Sequence, residues 1–194
     1  MGKCQNRIIE VENESFERIP IATHVLLSGE DIVQIVSNYL DGLTQEGDWI
    51  VLSEKAVAAT EGRAIPLDEI NPTRMATMLS KLVHKSPHGI GLSMPESMEM
   101  AIREVGLPRI LCAAVLSAVT KAVGVKGVFY HIAGRKAAAI DGPSPASIAP
   151  YDRCVILAPS DPDGIALRIS AAIGRQTAIV DVNDLGSEVL GATP

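Results

Sequence analysis

The stretch 137–164, AAAIDGPSPASIAPYDRCVILAPSDPDG, constrains the fold of this chain more than any other. Its prolines forbid a continuous helix and cannot donate to a central sheet ladder. The pattern predicts an apolar strand that delivers Asp141 into a long Gly/Pro/Ser loop. A second strand follows in YDRCVILA, and then a helix opened by Ser160, Asp161 and Asp163. Carboxylates at the ends of buried strands, in loops too proline-rich for simple hairpins, are where binding and catalytic groups concentrate. The stretch reads as the floor of a site.

The rest of the chain mixes the two periods. Strands are expected at 7–11, 19–27, 49–53 and 177–182, and again in VKGVFYHIAG and RKAAAID, with Gly134 and Arg135 as the turn between those two. Helices are expected at 30–43, 71–84, 95–105, 109–123 and 163–173. Their predicted caps are Ser28 with Asp31, Asn71-Pro72, the Ser93-x-x-Glu96 capping box, and Ser160 or Asp161 with Pro162; Gly106, Gly124 and Gly174 are the stops. The helix at 109–123 is so apolar that it is either the central core helix or a subunit contact. The expected class is α+β or mixed α/β, with partly antiparallel pairing.

With 194 residues, 47% of them hydrophobic, the chain can bury one sizeable core or two small ones. A net charge of −6 argues against a nucleic-acid backbone as partner, since that binding relies on clustered cations. Cys4, Cys112 and Cys154 share no CxxC spacing, which points away from disulfides and structural zinc; Cys112 and Cys154 should pack as small hydrophobes. No window approaches the length of a membrane span, and residues 1–16 hold no signal-peptide core, so a cytoplasmic protein with no membrane partner is expected.

Two places carry candidate chemistry. SEKAVAATEGR leaves the strand at 49–53 directly, placing Ser53, Glu54 and Lys55 where a strand end opens into a crevice; the bland alternative is a capping run followed by a turn with a solvated ion pair at Glu61-Gly62-Arg63. Asp141 and Asp184 both follow apolar strands, and neighbouring strands would bring them together as hard oxygen ligands for Mg²⁺ or Mn²⁺ on a nucleotide, with Asn183 adding a neutral oxygen. Lys55 or Arg63 would then neutralise phosphate charge. Equally, each Asp can simply cap a turn. His84 and His88 stand four apart, but Ser86-Pro87 breaks the helix that would align them on a metal.

The run DWIVLSEKAVAATEGRAI resembles the strand and SK…AEGR motif of the gamma-glutamyl ligases that build the polyglutamate tail of the deazaflavin coenzyme F-420. AAAIDGPSP resembles the NAGID segment of that family, LAPSDPDGIALRI its LP-DPD-SA helix start, and TAIVDVNDLG its strand followed by SDTFGR. The blocks keep the family's order and cover most of 18–187. The resemblance implies a GTP-dependent (or ATP-dependent) amide ligase that joins a glutamate amine to a small-molecule carboxylate with divalent metal, as an intertwined homodimer. By position it implies metal ligation by Asp141, Asn183 and Asp184, and nucleotide contacts at Ala22, Thr23, His24, Ser53, Glu54, Lys55 and Ser144. Asn183-Asp184 stands where the family has Asp-Thr, Ser187 where it has Arg, and Ala138 and Ser144 where it has Asn. A single ligase-like domain over 1–194 is expected, lacking the family's C-terminal segment. These departures leave a second expectation, a ligand-binding or structural dimer that kept the scaffold without turnover.

Overall fold

A computed structural model describes residues 8–83, 91–122, 124–125, 127–145, 147–183 and 186–194. The first half contains β1 (Ile8–Val11), β2 (Glu14–Glu17), α1 (Ile32–Leu40), β3 (Trp49–Ser53), α2 (Glu54–Thr60), β4 (Ala64–Pro66), α3 (Arg74–Ser80) and α4 (Pro95–Val105). The second contains α5 (Leu107–Ala122), α6 (Val128–Ala133), α7 (Arg135–Ala138), β5 (Cys154–Ile156), α8 (Pro162–Ile173), β6 (Gln176–Asn183) and β7 (Gly186–Ala192). The described strands form small open sheets, and the fold is α+β.

Alternation in β3 buries Ile50 and Leu52 on one face and leaves Trp49 and Val51 exposed on the other. β3 pairs in parallel with β6, which pairs antiparallel with β7, giving the order β3-β6-β7. The buried face of this sheet meets α1 and α8 in one core, built on Ile32, Val36, Ile165, Ile169 and Ile179. A second core of Leu92, Met98, Ile110, Phe129 and Val155 gathers α3–α7. Helix α2 ties the sheet core to a third, smaller cluster: Val57 faces the sheet core, while the adjacent Ala58 packs on Cys154 and Ile156 of β5. Its N-terminus therefore sits at the seam, fixed from both sides.

Local chemistry explains the helix ends. Asp31, Thr73 and Asp161 each accept a backbone N–H in the first turn of α1, α3 and α8, and Pro162 starts α8. The expected box at Ser93–Glu96 does not form: Met94 is the cap of α4, with no side-chain cap bond. Ser28 and Asn71 likewise yield the cap positions to Asp31 and Thr73. The predicted strands in 125–134 and 135–141 are helices instead, α6 and α7, meeting at Gly134 (φ +88°). Phe129, Ala133 and Ala137 are buried against α4 and α5, and packing decides a run whose length leaves the period ambiguous. Of the strand expected before Asp141, only a two-residue bridge to Ile156 remains.

Residues 19–27 form no strand, and Ile19, Ile21, Val25 and Leu27 are exposed. Leu43, at the end of the helix expected over 30–43, lies beyond α1 and is exposed too. Cys154 is buried as expected, whereas Cys112 faces out from α5. Helix α5 buries Ile110 and Ala113 and exposes Val115, Leu116 and Val119. His84 and His88 lie outside the described residues. Among the described residues no helix is long and apolar enough to cross a membrane.

Candidate functional site

Helix α2 begins on the residue after β3 ends, so Glu54 and Lys55 emerge at the C-terminal edge of the sheet. The parallel register sets Ser53 opposite Val180 on β6, bringing Asp181 beside the start of α2. On the other side of β6, Asp181 stands directly opposite Glu188 of β7. Like charges in that position repel. Arg135 relieves Glu188 from outside, its Nη2 lying 3.0 Å from the carboxylate.

Glu54 is only 5% exposed, and its Oε2 has no hydrogen-bond partner. Burial above all, then the charge of Asp181, with smaller contributions from Asp141 and Glu188, pushes its carboxyl up to about 7 against the opposing pull of Lys55. Lys55 reaches the other way: its Nζ lies 2.5 Å from Oδ2 of Asp141, with both side chains close to half exposed. Burial works against the ammonium, but the hydrogen bond to Asp141 and the surrounding carboxylates hold Lys55 above its ordinary value.

Asp141 is placed by its own backbone. Its N–H donates to the Ile156 carbonyl and its carbonyl accepts from the Ile156 N–H, both at 2.9 Å, which pins the loop start to β5. β5 in turn pairs antiparallel with β4, the continuation of the chain after α2. The two conspicuous sequence stretches are thus tied by backbone pairing, and Lys55 meets Asp141 across the seam. This places Glu54, Lys55, Asp141, Asp181 and Glu188 in one electrostatic cluster.

The remaining expected site residues are distributed elsewhere. Ala22, Thr23 and His24 lie in the segment 19–27, where His24 engages Tyr39 of α1 and Glu30 just before it: Nδ1 is 2.9 Å from the Tyr39 hydroxyl and Nε2 is 2.9 Å from Glu30. The Tyr151 hydroxyl donates to the Leu26 carbonyl and holds the same segment. Ser53 occupies the N-cap of α2 without a side-chain cap bond, and Ser144 accepts from Ser147 N–H at 3.0 Å in the loop after Asp141. Asn183 ends β6, paired with Gly186; Asp184 lies outside the described residues.

Glu61 and Arg63 are structural, not a solvated pair. Glu61 accepts from the backbone and hydroxyl of Ser160 at 2.8 and 2.7 Å. Arg63 donates to the Ala158 carbonyl and pairs with Glu104 at 2.7 Å, with both side chains largely covered. The EGR turn is a clamp on the LAPS segment, and it takes Arg63 out of phosphate binding. Asp181 and Glu188 were missed by the sequence reading; the available signal was an acid inside the apolar run TAIVDV.

Among the described residues no three His, Cys, Asp or Glu groups converge as a ready metal centre. The oxygen donors present are nonetheless of the hard type that Mg²⁺ and Mn²⁺ take. No curated protein gives a significant match to the chain. A family model described as F420-0:Gamma-glutamyl ligase matches residues 20–183, a span that contains α2, the Asp141 loop and β6 together. On that match the chain belongs to the F420-0:gamma-glutamyl ligase family.

Proposed function

We propose that the chain is a nucleotide- and divalent-metal-dependent amide ligase that joins the amine of glutamate to a small-molecule carboxylate, with GTP or ATP as co-substrate. The observation that carries the reading is the Lys55–Asp141 pair at the edge of β3, beside a buried carboxylate. In such a ligation the acceptor carboxylate attacks the terminal phosphorus, and nucleoside diphosphate leaves. The amine then attacks the acyl carbon, the C–O bond to phosphate breaks, and phosphate departs. Lys55 supplies a point charge for the phosphate oxygens, and Asp141 fixes where that charge sits. Asp141, Asn183 and Asp184 are the residues that would hold a divalent cation, which when bound neutralises phosphate charge.

A thermal-shift titration with GTP and ATP, each with and without Mn²⁺, tests the reading. At a hundredfold excess over Kd a ligand adds about 2.7 kcal/mol, which for a chain of this size raises Tm by roughly 5–10 °C. A metal-dependent rise is expected; no rise with either nucleotide would remove the ligase reading. The same pair supports a second reading, because Lys55 already neutralises Asp141 without a metal. Under it the chain binds its ligand with no turnover, and nucleotide stabilises it equally with or without Mn²⁺.

The partner proposed alongside is a second copy. Ile19, Ile21, Val25 and Leu27 are exposed, as are Trp49 and Val51 on the edge strand β3. An uncharged, unpaired edge and an unpaired apolar arm on one chain suit reciprocal exchange between two copies. Light scattering should return twice the chain mass at micromolar concentration; a monomer would remove the dimer.

A further inference from the structure

We propose that Glu54 seats the ammonium group of the amine substrate, setting its nitrogen beside the Lys55–Asp141 pair. For the reaction this rests on the ligase reading; for binding it stands alone. The argument begins with a missing partner. A carboxylate 95% removed from water, with one oxygen making no hydrogen bond, is costly unless something compensates it. The two cations the cluster's ion pairs contain are engaged elsewhere: Lys55 lies on Asp141 at 2.5 Å and Arg135 on Glu188 at 3.0 Å. Asp181 and Glu188 add negative potential from the facing strands. The cluster calls for a cation from outside.

The chemistry of an amide ligation narrows which one. Nucleotide phosphates and acceptor carboxylates are anions, which Glu54 and its acidic neighbours repel. The amine substrate arrives as R–NH₃⁺, with three N–H donors for the orphaned oxygen. The raised carboxyl suits the next event, because an acid near neutrality is ionised enough to bind the ammonium and basic enough to accept its proton. One N–H proton passes to Glu54, the freed lone pair forms the C–N bond, and the C–O bond to phosphate breaks with its electron pair leaving on phosphate. The second nitrogen proton goes to solvent.

The test is calorimetry on the full chain with L-glutamate and with glutarate, the same dicarboxylate without the amine, in the presence of GTP and Mn²⁺. Wild type should bind glutamate at least tenfold more tightly than glutarate. Glu54→Gln, which keeps the shape and removes the charge, should lose tenfold to a hundredfold for glutamate with glutarate unchanged. Glu54→Asp should recover part of the loss. Equal binding of the two ligands by wild type, no glutamate binding, or an unaltered Glu54→Gln would each overturn the proposal, and so would loss of Mn²⁺ binding in Glu54→Gln. GDP release measured in parallel separates the two readings: Glu54-dependent glutamate binding without GDP formation removes the ligase and keeps the amine seat, whereas amide formation that Glu54→Gln leaves intact does the reverse.

Discussion

Asp141→Asn is expected to leave the chain folded and to lower nucleotide-dependent amide formation by roughly 10²–10³-fold. The two halves of the expectation have separate grounds. The pair that Asp141 makes with Lys55 is close to half exposed on both sides, so removing its charge should cost no more than about 1 kcal/mol of stability. The backbone bonds that hold residue 141 against Ile156 survive the change. What is lost is position. Without a carboxylate 2.5 Å away, the Lys55 ammonium swings free on a flexible stem, next to Glu54 and its acidic neighbours. A charge misplaced by an ångström no longer stabilises phosphoryl transfer. Diphosphate release and amide product are the readouts, with Tm as the control; turnover within threefold of wild type would remove Asp141 from the site.

Stability should also fall as pH rises through neutrality, and Glu54→Gln should abolish that fall. The folded-state carboxyl of Glu54 titrates at about 7, against 4.5 for the free group. Below pH 4.5 both states hold the proton and the residue is silent. Between 4.5 and 7 the unfolded chain releases a proton that the folded chain keeps, so unfolding becomes progressively easier. Above 7 the full cost is present, on the order of 3 kcal/mol at about 1.4 kcal/mol per pH unit. Glu54→Gln carries no charge to bury and should melt roughly 8 °C above wild type at pH 8, with little difference at pH 4.5. Identical pH profiles for the two proteins would show that the Glu54 carboxylate is hydrated and compensated.

The second expectation bears on the first. Groups that cost stability in the resting chain while facing a strained charge cluster are common at sites that bind a ligand, because the ligand supplies what folding could not. Glu54 is destabilising alone and becomes paired when a cation arrives. Asp141 and Lys55 are already paired and are cheap to hold. The cluster thus divides into a fixed half and a half that waits for its partner.

Much of the secondary structure was legible before any tertiary contact. Asp161-Pro162, Gly106 and Gly174 mark helix ends because capping and positive-φ geometry are satisfied within a few residues. β3 and β6 were legible because short, mostly apolar runs rich in β-branched residues and bounded by turn residues have few other uses. The run VFYHIA was not, because six apolar residues fit either period and the buried faces of Phe129 and Ala133 are chosen by α4 and α5. Residues 19–27 have the composition of a strand, but a strand needs to be seated on a partner edge, and within the described chain they pair with none.

The site divides in the same way. From the sequence alone Lys55 followed as the residue leaving a buried strand, and Asp141 as the carboxylate entering a proline-rich loop, since both follow from neighbours in the chain. It also determined the family, because four blocks in a fixed order survive without knowledge of their contacts. Only the tertiary structure decided that Lys55 grips Asp141, that Arg63 belongs to Glu104, and that Asp181 and Glu188 press on Glu54. Those pairings depend on which strand lies beside which, and strand pairing joins residues far apart in the chain by backbone bonds that every sequence can make. Local sterics and capping are written residue by residue, whereas the register that assembles a site is settled only when the sheet core and the Ala58–Cys154–Ile156 cluster close around α2.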